Sequence, residues 1–170
     1  MDAIEDQKDQ KDQKNNKNNN KKIGVEKIKA ETLGVNPKHR RRAREFLVQA
    51  LYQWHMAGGE LADLQAQFIA SNDYQKVEWA FFSELLTYVL KNLDEIDPLI
   101  EPLLSKGSDS LKPVERAILR AGLGELKLRL DVPTPVVIHE YVDLAFEFGC
   151  EQGHKLINGI LDATAKRIRI

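Results

Sequence analysis

The stretch NPKHRRRAREFLVQALYQW, residues 36–54, decides the fold. Asn36 suits the cap that precedes a helix, and Pro37 suits the first helical position. Apolar residues then recur at spacings of three and four, which places them on one face of a helix. This buried stripe consists of Ala43, Leu47, Ala50, Leu51 and Trp54. The stretch therefore predicts an amphipathic helix that ends at Gly58–Gly59.

The same helical period continues through the rest of the chain, and no segment alternates with the two-residue period of a strand. Pro102 is expected to bend or end the fourth helix, before a loop at residues 107–110. Six or seven helices with short connections predict an all-α fold. Beyond the first helix, the predicted ranges are 60–70, 75–92, 94–104, 113–130, 134–149 and 151–167.

The first part of the chain has a different composition. Residues 1–22 are almost entirely Asp, Glu, Lys, Gln and Asn, too polar to offset the entropy cost of ordering, and residues 23–35 show only weak periodicity. We predict a disordered tail and linker over residues 1–35 and a folded domain over 36–170. The single cysteine and the lack of a long apolar run favour a cytoplasmic protein without a disulfide or a membrane span.

Charge is distributed unevenly. Residues 35–44 carry five basic and no acidic side chains, whereas residues 45–170 carry 12 basic and 19 acidic ones. Cations at the start of a helix oppose the helix dipole, so helix stability does not explain them. A solvated helix start is the alternative, but a concentrated basic segment on an acidic body predicts a local site for a polyanion such as nucleic acid.

Two further features fit an RNA site. At 100° per residue, Arg41, Gln49 and Tyr52 share the face opposite Leu47, which predicts an exposed aromatic beside arginine. Arginine with a surface aromatic binds phosphate and stacks an unpaired base. Near the start of the last helix, residues 153–155 (Gly-His-Lys) combine free backbone N–H groups with a lysine, although an ordinary helix start is the simpler interpretation.

Signatures of enzymes are missing from the sequence. The segment around His139 lacks the second histidine of a helical zinc-protease motif. Gly122 and Gly124 have neither a preceding strand nor a phosphate-loop lysine, so we interpret them as close-packing positions, and we interpret Cys150 as a buried structural thiol. We expect no catalytic site, no metal and no cofactor.

Several motifs, in order along the chain, resemble those of the NusB family of transcription antitermination factors. The resemblance covers about residues 37–168. It is carried by residues 40–45 (RRRARE), 49–54 (QALYQW), 114–120 (VERAILR), 131–133 (DVP), 148–149 (FG) and 154–162 (HKLINGILD). One position departs from the family, which often has an aromatic residue where this chain has Leu156.

The resemblance implies seven helices in two small bundles packed across each other and a non-enzymatic function. NusB-like proteins bind boxA-type sites in nascent ribosomal RNA with the ribosomal protein NusE, and they act with other Nus factors on transcribing RNA polymerase. By position, the implied RNA-binding residues are Arg40, Arg41, Arg42, Arg44, Tyr52, His154 and Lys155. The implied NusE-facing residues are Glu115, Leu103 and Asp109.

An alternative is a helical accessory or adaptor module of an RNA-modifying or ribosome-assembly system, because some ribosomal RNA methyltransferases carry a NusB-like domain. The chain shows no glycine-rich loop after a strand and leaves no room for a cofactor-binding βαβ domain. An adaptor without RNA contact would leave the basic segment unexplained.

Overall fold

The computed structural model describes residues 34–72 and 74–169, and within these ranges the regular structure is entirely helical. Short 3-10 turns cover Tyr74–Lys76, Glu101–Leu103 and Ser108–Ser110. The seven α-helices are α1 (Pro37–Ala57), α2 (Leu61–Ser71), α3 (Trp79–Lys91), α4 (Leu93–Ile100), α5 (Pro113–Leu128), α6 (Thr134–Glu147) and α7 (His154–Ile168). The predicted all-α class is confirmed, while the predicted tail lies, for residues 1–33, outside the described residues.

The helices pack in two groups within residues 38–170. Helices α5, α6 and α7 contact one another pairwise, and α3 packs against α2, α4 and α5. An aromatic cluster joins the first three helices: the ring of Phe46 lies 5.7 Å from that of Trp79 and 6.2 Å from that of Phe68, measured between centroids. The predicted stripe of α1 is buried except for Trp54, which is half-buried. No helix in the described ranges is long and apolar enough to span a bilayer.

Two predicted boundaries differ from the structure for identifiable reasons. Helix α3 begins at Trp79 rather than at residue 75, because the backbone N–H of Glu78 donates to the carbonyl of His39 in α1 (3.1 Å). Helix α4 ends at Ile100, where a 3-10 turn containing Pro102 follows. The predicted 107–110 loop contains another 3-10 turn.

The two glycines of α5 are close-packing positions, as predicted. A Cβ on Gly122 would lie 2.9 Å from Leu161 Cδ2, and a Cβ on Gly124 would lie 2.4 Å from Val89 Cγ2. Real Cβ atoms essentially never approach that closely. The absence of side chains at these positions therefore allows α5 to approach α3 and α7.

We expect Gly124→Ala and Gly159→Ala to change stability in opposite directions. Gly124→Ala would overpack against the stiff Val89, so we expect a net loss of about 1–2 kcal/mol in the free energy of unfolding. Gly159 also lies inside a helix, but a Cβ there would meet nothing within 4 Å, so the helix propensity of alanine should add up to about 1 kcal/mol. Urea denaturation measures both; equal effects would contradict the packing described for α5.

Candidate RNA interface

The arginines at the start of α1 differ in what they contact. Arg40 donates two hydrogen bonds to Glu78, at 2.9 and 2.7 Å, and its guanidinium lies 4.5 Å from the centroid of Phe81. Arg42 is exposed and makes a 2.6 Å ion pair with Glu45 three residues later. Arg40 is thus held against α3, whereas Arg42 faces solvent.

Arg44 lies inside the protein. Its Nε and Nη2 atoms donate to the Glu125 carboxylate at 2.9 and 2.6 Å, and the Tyr141 hydroxyl donates to the same carboxylate at 2.8 Å. The side chains of Arg44 and Glu125 are 4% and 0% exposed. Burial alone would lower the pKa of Arg44, but the hydrogen bonds and charge of Glu125 raise it. Because this guanidinium is buried and paired, the structure does not place Arg44 with the other predicted RNA-binding residues, and we leave it out of the proposed surface.

Arg41 reaches across to α6. Its guanidinium lies 3.0 Å from Glu140, 2.7 Å from Glu147 and 3.6 Å from Asp143, all measured between nitrogen and carboxylate oxygen. Burial lowers the pKa of Arg41, but hydrogen bonds and charge from Glu147 and Glu140 outweigh it and raise the pKa overall. These contacts place Arg41 at the C-terminal end of α6. The three acidic side chains are not among the residues predicted from the sequence.

Tyr52 is 41% exposed, as its helical position predicts. It lines a groove of about 830 Å³ together with Met56, Phe148 and the start of α5 at Pro113. The phenol ring is therefore accessible on the surface of α1. It lies about three helical turns from Arg41, since the two positions are 11 residues apart and a turn takes about 3.6 residues.

The start of α7 carries the remaining predicted residues. Lys155 is exposed, and His154 is half-buried with Nδ1 donating to the backbone carbonyl of Glu151. The ring of His154 lies 4.5 Å from that of Phe146, centroid to centroid, at an interplanar angle of 31°. Phe146 is next to Glu147, the ion-pair partner of Arg41, so the start of α7 and the start of α1 both contact the last turn of α6.

We refer to Arg41, Tyr52, Phe146, His154 and Lys155 as the α6-end surface. Four of these residues are predicted from the sequence, and Phe146 is not. The available signal is an aromatic residue near the end of the helix predicted over residues 134–149.

The three residues assigned to partner binding occupy different environments. Asp109 is exposed in the Ser108–Ser110 turn, and Leu103 is half-buried in the preceding turn. Glu115 is only 6% exposed, and its carboxyl carbon would lie 2.9 Å from a Cβ on Gly153. Glu115 therefore lies against the residue that precedes α7, and little of it is left for a partner to contact directly.

Burial raises the pKa of Glu115, an effect that the charge of Lys112 only partly opposes. A raised pKa in the folded state means that this carboxyl group favours folding when protonated, and that this contribution is lost as the pH rises through the folded-state pKa.

Glu115→Gln should therefore raise the melting temperature at pH 7, because a neutral amide replaces a buried carboxylate. The difference from the original protein should shrink below pH 4.5, the ordinary pKa, where both side chains are neutral. Thermal unfolding over pH 4–8 measures this. A lower melting temperature for the variant at pH 7 would instead show that the ionised carboxylate stabilises the start of α7.

Cys150 and His139 are the other residues considered for a chemical role. Cys150 is buried, as predicted, and burial raises the pKa of its thiol. His139 is exposed, with Nε2 lying 3.5 Å from Asp143. Across the residues the structure describes, no cluster of three or more potential metal ligands is present.

Comparison with known proteins identifies the family. The model of the NusB family matches residues 41–166. The chain belongs to the NusB family. It is 46% identical over 135 residues to the transcription antitermination protein NusB of Serratia proteamaculans, covering 79% of this chain and 98% of that protein. It is 48% identical over 130 residues to NusB of Pseudomonas savastanoi pv. phaseolicola, covering 76% and 79%.

Solved NusB structures share the fold. T. maritima NusB is 31% identical with a TM-score of 0.67, and the match covers 77% of this chain and 92% of that one. A crystal structure of the antitermination factors NusB and NusE in complex with dsRNA matches at 29% identity and a TM-score of 0.66, covering 78% and 99%. The predicted NusB resemblance and its two-bundle fold are thus confirmed.

Proposed function

We propose that the protein is a non-enzymatic transcription antitermination factor of the cytoplasm. It binds boxA-type single-stranded sites in nascent ribosomal RNA together with the ribosomal protein NusE, and it helps RNA polymerase, with other Nus factors, to resist termination. Its NusB relatives carry the name of transcription antitermination proteins, and a related NusB has been solved with NusE and RNA.

The observation that carries the RNA part of the proposal is the α6-end surface. Two segments more than a hundred residues apart in sequence, the basic start of α1 and the start of α7, both contact the last turn of α6, through Glu147 and Phe146 respectively. Cations there supply sequence-independent affinity for phosphates, and the exposed Tyr52 supplies a ring for an unpaired base. Arg42 adds a solvent-facing cation, while Arg40 acts mainly through its pair with Glu78.

The carboxylates around Arg41 do not prevent this function. Glu147 and Asp143 are about half exposed, and ion pairs of that exposure contribute little net stability. Glu140 is only 21% exposed and holds Arg41 more firmly, so an RNA phosphate approaching Arg41 competes mainly with Glu147 and Asp143. Until RNA arrives, these carboxylates orient the guanidinium towards the end of α6.

Binding of labelled RNA tests the proposal. We expect the full chain to bind a boxA-type single strand more tightly than a scrambled strand, and we expect NusE to increase that difference. A matched RNA duplex serves as a second comparison, because a relative was solved with dsRNA. Equal affinity for boxA-type and scrambled strands, with and without NusE, would contradict this function and favour an accessory module that recognises RNA by charge alone.

Asp109→Lys tests the proposed NusE-facing surface. Because Asp109 is exposed, reversing its charge should leave the fold unchanged and weaken NusE binding by about tenfold, as expected when a pair is lost and repulsion is added. RNA binding in the absence of NusE should stay within about twofold. Calorimetry with purified NusE measures the change, and Asp63→Lys, an exposed reversal on α2, is the control. Unchanged NusE affinity in the Asp109 variant would place the partner surface elsewhere.

A further inference from the structure

Phe146 is a large apolar side chain on the surface. It occupies the second-to-last position of α6, and 49% of it is exposed. Single exposed apolar residues are common in proteins and need no explanation by themselves. Phe146 differs from such isolated residues because its ring packs against a second ring. That second ring lies among groups suited to binding phosphate.

The supporting ring is His154. The two ring centroids are 4.5 Å apart at 31°, which is within the range of attractive aromatic pairs. The hydrogen bond from Nδ1 of His154 to the carbonyl of Glu151 restricts rotation of the imidazole. Since His154 backs one side of Phe146, the exposed part of the phenyl ring is held in a defined orientation towards solvent.

Cationic groups flank this ring pair. Lys155 follows His154 and is exposed, and Arg41 is paired with Glu147, the residue after Phe146. The first turn of α7 adds backbone N–H groups without a side-chain cap. An apolar protein side chain would gain nothing from these cations, whereas a nucleotide matches both features, with its base on the ring and its phosphate near Lys155.

We propose that Phe146, backed by His154, forms a stacking platform for an unpaired base of the bound RNA. This inference rests on the proposed RNA-binding function and adds a specific binding residue to it. The platform is separate from Tyr52, which lines the groove together with Phe148 and the start of α5, a groove that Phe146 does not line. Two rings on one surface would hold two bases of the same strand.

The test uses a boxA-type single strand carrying 2-aminopurine at successive positions, together with the full-length protein. Stacking contributes about 1–3 kcal/mol per base, so Phe146→Ala should weaken binding by about tenfold. The dependence of log affinity on log salt should stay unchanged, because no cation is removed. Quenching of 2-aminopurine at one position should disappear in the variant, and Phe146→Trp should retain both affinity and quenching.

Two controls separate stacking from other effects. Leu130→Ala removes another exposed apolar side chain, in the connection between α5 and α6, and should leave RNA affinity unchanged. Phe146→Leu keeps the apolar bulk but lacks a ring, so it should resemble Phe146→Ala in binding while retaining the original melting temperature.

The outcomes are distinguishable. Suppose that the original protein and Phe146→Ala bind RNA with equal affinity and quench 2-aminopurine equally. The stacking platform is then wrong, and the proposed function stands. Weakened NusE binding with intact RNA binding would also overturn the platform, since it would assign the ring to a protein contact. If the original protein binds no RNA, both the function and the platform fail.

Discussion

Arg44→Ala is expected to lower the free energy of unfolding by about 3–5 kcal/mol, the loss typical of removing one partner of a buried ion pair. Among the described residues, the change would leave the fully buried Glu125 carboxylate with the Tyr141 hydroxyl as its one remaining donor. For a domain of this size, the melting temperature should fall by roughly 10 °C or more. Thermal and urea unfolding, monitored by circular dichroism, measure the loss.

Arg42→Ala is the matched control for this prediction. It removes the same side chain from the same helix, but from an exposed position with an ion pair three residues away and a guanidinium 4.7 Å from the Phe46 ring centroid. Its effect should stay within about 1 kcal/mol. In addition, replacing the three buried polar groups with apolar ones, as in Arg44→Met with Glu125→Leu and Tyr141→Phe, should recover much of the loss, because no hydroxyl is then left without an acceptor. If Arg44→Ala lowered the free energy of unfolding no more than Arg42→Ala does, the result would show that the buried pair is not formed.

The second large effect concerns RNA. Arg41→Ala combined with Lys155→Ala should weaken binding of single-stranded RNA by tenfold or more at moderate salt, since two cations of the α6-end surface are lost. Removing Arg41 also leaves Glu147 without its ion-pair partner among the described residues, which adds repulsion for phosphate. Both helices should persist because alanine is a good helix former. Electrophoretic mobility shifts or fluorescence anisotropy measure the affinity.

Lys166 provides the control for that experiment. It lies on α7, as Lys155 does, but at the opposite end, about 16 Å away along the axis, and its side chain is 75% exposed. Lys166→Ala removes one unit of charge without touching the α6-end surface. A loss of RNA affinity equal to that of Lys155→Ala would indicate binding to overall charge rather than to this surface.

The helices themselves could be predicted from the sequence because each has a three-and-four apolar spacing and recognisable boundaries. Pro37, Pro113 and the Thr134–Pro135 pair mark helix starts, and Gly58 and Gly149, both with positive φ, follow helix ends. The start of α3 and the end of α4 were predicted less accurately, since a contact with α1 and a proline-containing 3-10 turn determine them.

The burial of Arg44 within the basic segment was not predicted from the sequence. Counting at 100° per residue places Arg44 within about 20° of Leu51, on the buried side of α1, and Arg40 equally close to Leu47. This signal was present in the sequence, but the concentration of charge favoured a surface interpretation. The partner of Arg44, Glu125, lies 81 residues away, and no local pattern links the two.

Glu115 and Phe146 also have environments that the sequence does not predict, since Glu115 is buried and Phe146 is exposed. Glu115 is buried because Gly153, 38 residues later, packs against its carboxyl group. Phe146 is exposed because it stacks on His154 rather than on the core. Both environments result from how α7 begins, which depends on tertiary packing. The positions of candidate residues along the chain were therefore predictable, whereas their burial and partners required the fold.

The salt dependence of RNA binding tests the central claim most directly. Log affinity for a boxA-type single strand should fall linearly with log salt concentration, and each phosphate contact contributes a slope of about 0.7. If Arg41 and Lys155 contact phosphates in the α6-end surface, the double alanine variant should show a slope smaller by about 1.4 than that of the original protein and of Lys166→Ala. An unchanged slope in the double variant, or an equal decrease per charge in Lys166→Ala, would contradict the account and place the RNA elsewhere.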